Sequence, residues 1–248
     1  MLRLAASLLF TSAVALVAAP VPPLPKAEKD RRAVLADLGI PDTGQKLPRV
    51  PNGYQPDGVA DSALRAACRK AAEALLTHRS KPLPDTFSFA AGPKKAKEAM
   101  KAVQLIVAAR TLDLEEALEA LDGLTEGQRK AEGSKRWRAT HQFLFAAVEQ
   151  EIAALNEYNL ALGRVLTETV EPPTVDAETN ALKLEPAAKM MSNKRTREQA
   201  KAALDEFARV IEAHPDTPWA ALAETARDRP LGLSWVPTKV EGPKAKEK

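Results

Sequence analysis

Among its 248 residues the chain has one cysteine, three histidines, eleven glycines and only 4% aromatic side chains. Each shortage excludes something. A single cysteine, Cys68, rules out an internal disulfide framework. Three histidines, at 78, 141 and 214, lie in three different segments. No HExxH, CxxC, CxxCH, GxSxG or phosphate-loop spacing occurs, so zinc, haem, acyl-transfer and nucleotide chemistry lack their minimum parts. No cofactor and no metal site are expected. The charges are nearly balanced, at 36 basic and 33 acidic residues. Basic clusters at Lys94 to Lys101, at Lys194 to Arg197 and in "KVEGPKAKEK" have no interleaved aromatics, so they read as solvated helix ends and a soluble tail, and no nucleic-acid partner is expected.

What is abundant is alanine and proline. The 19 prolines cluster between alanine-rich stretches, and a proline inside a helix costs about 3 kcal/mol, so the pattern describes helices separated by rigid connectors. The expected class is all-α: an irregular bundle of helical hairpins around one long central helix.

The N-terminus carries Arg3, then an uncharged apolar run from Leu4 to Ala19, then Pro20. This is the pattern of a secretory signal peptide, residues 1–19. The run is short of the ~20 residues a spanning helix needs. Pro20 would hinder cleavage after Ala19, so cleavage after Ala18 or retention of the segment both remain open, and a membrane association follows only from retention. The expected location is therefore outside the cytoplasm, in the periplasm or cell envelope. Residues 20–57 form a proline-rich arm holding at most one short helix, Glu28 to Leu38. Residues 58–236 form the helical domain, and 237–248 a disordered basic tail.

Within the domain, Leu64, Cys68, Ala71 and Leu75 recur at helical spacing, which places Cys68 on a buried stripe rather than at a reactive site. Lys94 to Arg110 reads as a second helix. Asp113 with Glu116 resembles a capping box and opens a short third helix that stops at Asp122-Gly123. The strongest period runs from Ser134 to Pro173: Trp137, Leu144, Tyr158 and Val165 fall in one row, His141, Val148, Leu155 and Leu162 in a second. Only Glu151 interrupts, falling between Leu144 and Tyr158 in the first row. "VEPPTVDAETNALKLEP" has no regular pattern. Thr196 with Gln199 again resembles a capping box, opening a helix that buries Ala200, Ala203, Phe207 and Val210. In "HPDTPW", Thr217 can cap a new helix and Pro218 suits its first position, because no amide donor is needed there. Trp219 is placed to pack back on Phe207 and Ile211, and Trp235 to tuck a strand-like tail against the bundle.

Three resemblances follow from these residues. Ala203, Phe207 and Pro215 have the spacing that closes a tetratricopeptide repeat, over half a repeat only, since the first-helix positions of that family are missing upstream. The tail from Glu212 to Trp235 resembles the HP-x-TPWA-x-LA and PLG-x-x-W ending of uncharacterised exported bacterial helical proteins, some of which carry a von Willebrand A domain. Glu157, Tyr158 and Asn159 match an "EYN" segment that precedes it there. The resemblance covers about a third of the chain and implies export but no activity. "EYNLALGRVL" is also similar to helices of outer-membrane efflux channels, whose membrane strands this chain has no room for.

The reading of the sequence is thus an exported, non-enzymatic interaction or scaffold protein of the cell envelope with a protein or envelope-polymer partner. Its candidate interaction or packing residues are Trp137, His141, Tyr158, Phe207, Trp219 and Trp235. One alternative is a hydrolase-type enzyme with acidic residues and His141 gathered at one end of the bundle. Another is a membrane-tethered periplasmic adaptor.

Overall fold

The computed structural model describes residues 25–58, 61–167, 170 and 178–241. The expected signal segment and the end of the basic tail lie outside this range. The described residues form seven helices and one small sheet. The helices are α1 (Lys26–Asp37), α2 (Ala63–Arg79), α3 (Pro93–Asp122), α4 (Glu126–Ala131), α5 (Lys135–Leu166), α6 (Lys194–Ala213) and α7 (Pro218–Arg227). The strands are β1 (Thr86–Ser88), β2 (Ala181–Ala187) and β3 (Gly232–Thr238).

The 32-residue α5 is the axis of the molecule. Its middle is buried on nearly every side, from Phe143 and Leu144 through Ala147, Val148 and Ile152 to Leu155. A helix apolar all round must be enclosed, and α2, α3, α6, α7 and β3 all pack on it. Ala139, Ala146, Ala153 and Ala161 are buried along it, and their small side chains let the neighbouring backbones approach closely.

The helical expectation holds for most of the chain, with one correction to its all-α form. β2 lies between β1 and β3, antiparallel to both, with Phe87 opposite Leu182 and Leu184 opposite Trp235. The two stretches that break the helical pattern, "DTFSF" and "ALKLEP", supply β1 and β2. Phe87, Leu182 and Leu184 belong to the hydrophobic core. The sheet is fastened to the bundle by Trp235, whose Nε1 donates to the Ala161 carbonyl at 2.8 Å and whose ring meets Phe87 at 5.9 Å. β3 runs to Thr238, past the expected start of the tail, because Pro237 and Thr238 pair with Leu182 and Ala181.

Two capping boxes expected from the sequence do not form. α3 is one helix of 30 residues, running straight through Asp113. Leu114, Ala117 and Leu121 continue the buried stripe of Met100, Val103 and Val107, so packing on α5 holds the backbone helical where Asp113 would have capped a new start. α6 begins at Lys194, and its cap is Asn193, three residues before Thr196, whose amide the Asn193 side chain accepts at 2.9 Å. Its approach is fixed by Glu157, whose carboxylate accepts the amides of Met191 and Ser192 at 2.7 and 2.8 Å. At the other joint Thr217 does cap α7, accepting the Ala220 amide, with Pro218 at the first position.

Residues 25–58 also join the core. Val34, Leu38 and Val50 are buried in the same cluster as the bundle helices. Gly39 allows the turn after α1: it sits at φ 58°, and a Cβ there would fall 2.1 Å from the Ala72 carbonyl oxygen, a conformation and an approach open only to glycine.

Candidate functional site

The six residues singled out from the sequence do not form one site. Phe207 is fully buried against Phe143 at 5.4 Å. Tyr158 donates its hydroxyl to the Pro84 carbonyl at 2.5 Å, tying α5 to the segment before β1. Burial, with the nearby Asp85 charge, pushes its pKa up. Trp137 is partly buried, with the Arg65 guanidinium 5.4 Å from its ring. Arg65 in turn is held by Glu132 at 2.9 Å and Asp57 at 2.7 Å. His141 places Nε2 3.1 Å from the Leu121 carbonyl, and burial pulls its pKa below the ordinary histidine value. It is a satisfied, partly buried side chain at the end of α3.

The "HPDTPW" joint gathers more than the sequence indicated. Trp219 is fully buried and donates Nε1 to Thr140 Oγ1 at 3.0 Å. Tyr54, from the loop after α1, lies 5.5 Å from its ring, and the Arg136 guanidinium sits over it at 5.5 Å. His214 is buried between two partners: the Tyr54 hydroxyl donates to Nδ1 and Nε2 donates to Gln142 Oε1, both at 2.8 Å. One neutral tautomer satisfies both bonds. The polar tips of His214, Thr217 and Trp219 are thus each occupied by the protein itself.

The arrangement with chemical capacity lies instead around Glu151, the residue that interrupts the apolar row of α5. Its side chain is 3% exposed. Oε1 accepts from Arg229 Nη1 at 2.8 Å and lies 3.4 Å from Arg79 Nε, and Oε2 lies 3.4 Å from His78 Nε2. Arg110 on α3 reaches His78 Nδ1 at 3.4 Å. Arg79 also donates to the Gly39 carbonyl at 3.2 Å, so the cluster ties α1, α2, α3, α5 and the end of α7 together. Burial would raise the Glu151 pKa, but the His78 hydrogen bond and the Arg229 and Arg79 charges overcome it and hold the carboxyl well below its usual range. Burial lowers the Arg79 pKa, against the pull of Glu151.

Two clefts meet at this cluster. One, of about 520 Å³, runs between α2, α5 and the sheet, with walls of Leu83, Leu155, Leu184 and Leu233. The other, of about 560 Å³, runs between the loop after α1 and α7, with walls of Ile40, Leu47 and Leu222. Arg79, Glu151 and Arg229 line both. Two guanidiniums, those of Arg79 and Arg229, face the one carboxylate; Asp85 offsets them in the first cleft, whereas Lys46 adds to them in the second, and Arg229 is 46% exposed. Such a site can receive an anion with an apolar body. It is poorly suited to proton transfer, because Glu151 is locked in its ionised, hydrogen-bonded form and Tyr158 is committed to Pro84. His141 lines neither cleft, and no group of three or more metal-ligating side chains stands together among the described residues.

The fold therefore defines a mostly helical protein with a small antiparallel sheet. No family model matches the chain, and neither a curated protein nor a solved structure is significantly similar to it.

Proposed function

We propose that this is a non-enzymatic interaction or scaffold protein of the cell envelope, exported through its N-terminal apolar segment, that receives an anionic group of its protein or envelope-polymer partner at the Arg79–Glu151–Arg229 cluster. One observation carries the binding reading: two apolar-walled clefts are both lined by Arg79, Glu151 and Arg229. Export rests on the sequence of residues 1–19 and on the resemblance of the Glu212 to Trp235 tail to exported bacterial proteins. A tetratricopeptide-like ending is supported by Ala203 and Phe207, both buried on α6, and by the tight joint at Pro215 that leads into α7. The protein carries no cofactor in this reading.

The test has two arms. The N-terminus of the protein recovered from cells should begin near residue 19; a start at Met1 would favour the membrane-tethered adaptor. Envelope material captured by the wild type should be lost with Arg229→Gln, compared at a temperature where a thermal melt shows the variant folded, because the change also removes the 2.8 Å partner of Glu151. Equal capture by both would overturn the site. A hydrolytic activity abolished by His141→Ala would replace the binding reading with the enzymatic one.

A further inference from the structure

The face of α3 turned away from the bundle is apolar and uncovered. Ala102, Leu105, Ala109 and Leu112 recur at spacings of three, four and three, and Ile106 and Ala108 flank them. Leu105 is 74% exposed, Leu112 62% and Ile106 47%. From Ala102 to Ala109 the helix carries no charge. Large apolar side chains in a continuous stripe on a helix are the seam by which two helices pack, and three so exposed in two turns exceed scattered surface leucines.

The charges at the two ends of this stripe say what covers it. The exposed residues before it are predominantly basic, Lys94, Lys95 and Lys101, with Glu98 the exception; those after it are acidic, Asp113, Glu115, Glu116 and Glu119. A second α3 laid antiparallel across the first, about a twofold axis near Ala108, sets the basic start of each copy against the acidic end of the other. A parallel pairing would set like charges together. A twofold contact must be self-complementary, and this face is so in charge as well as in its alternation of leucine and alanine.

We infer that the protein self-associates through the outer face of α3, as an antiparallel dimer with Leu105 and Leu112 at its centre. The contact is one helix wide, smaller than the ~800 Å² per partner of a standard stable interface, so the dimer dissociates in the micromolar range rather than being permanent.

Sedimentation of the protein as it accumulates in the expressing cell, across a concentration series, reads this directly. The wild type should pass from monomer to dimer, and Leu105→Glu/Leu112→Glu should remain monomeric at the same concentrations with an unchanged melting temperature, because both side chains are exposed. Lys94→Glu/Lys101→Glu and Asp113→Lys/Glu119→Lys should each weaken the dimer at least tenfold alone. Mixed together they should form a heterodimer, since the reversed start of one copy then faces the reversed end of the other while the remaining two ends keep their native charges. A wild type that stays monomeric overturns the proposal, as does a dimer that survives the leucine substitutions. Charge variants that dimerise like the wild type overturn the antiparallel arrangement.

Discussion

Two side chains make the sharpest cases at the scale of the residue. Cys68 is completely buried on α2, and burial pushes its thiol pKa far up. The thiolate is the reactive form, so the native protein should resist a thiol reagent and label rapidly once denatured; fast labelling of the folded protein would contradict the packing of α2. Glu151 gives a test by pH. Its carboxyl is depressed in the fold and near the ordinary ~4.3 when unfolded, so the unfolded chain takes up the proton first as pH falls. The stabilisation is complete above that value and is lost as pH falls toward the lower native one. Glu151→Gln should cost about 3 kcal/mol at neutral pH, by leaving Arg79 and Arg229 without their shared anion, and the cost should shrink in melts taken below pH 4. An unchanged pH dependence would show that the pairing contributes nothing. The sequence carried half of this site: a lone acid in an apolar row must find cations. It could not name them, because Arg79, Arg110 and Arg229 come from three distant segments and no spacing announces their convergence.

Among the elements, the α6–α7 joint behaves differently from a ligand site. Trp219→Ala removes a fully buried ring and its bond to Thr140, and should cost about 3 to 5 kcal/mol. A joint without further bonds would leave His214→Ala nearly silent. With His214 bonded to both Tyr54 and Gln142, His214→Ala should instead cost about 1 to 3 kcal/mol, by orphaning two partners. A histidine exposed to solvent would show no such loss in thermal melts. Burial, reinforced by the Arg138 and Lys135 charges, keeps the His214 pKa below its ordinary value. Its contribution is therefore full above about pH 6.5 and falls as pH drops toward the native pKa, a dependence that His214→Gln should remove. Helical periodicity made α5, α6 and α7 legible, because burial repeats every turn along each of them. The local capping signals at Asp113 and Thr196 misled, since continued packing on α5 and the stronger cap at Asn193 outweighed them. β1 is three residues long and has no pattern of its own, whereas β2 alternates Leu182, Lys183, Leu184 and Glu185 over only four residues before Pro186; the two become strands by pairing across about a hundred positions of sequence.

At the scale of the whole molecule, the fold closes through its last described strand. β3 covers one edge of β2, and Trp235 carries the link to α5. Ending the chain after Pro230 should therefore expose β2 and Phe87 and lower the melting temperature by roughly 4 to 16 °C, as a loss of about 2 to 4 kcal/mol does in a domain of this size. A truncated protein that melts like the full chain would show that the bundle stands alone. β1, β2 and β3 are drawn from three far-separated points of the chain, with the outer pair about 145 residues apart, and β2 cannot be paired on both sides until Thr238 has been made. Long-range pairings of this kind are slow to form. A nascent chain made as far as Pro230 would thus hold an unfinished bundle, and the seven residues of β3 would act as a latch that commits it to its native state.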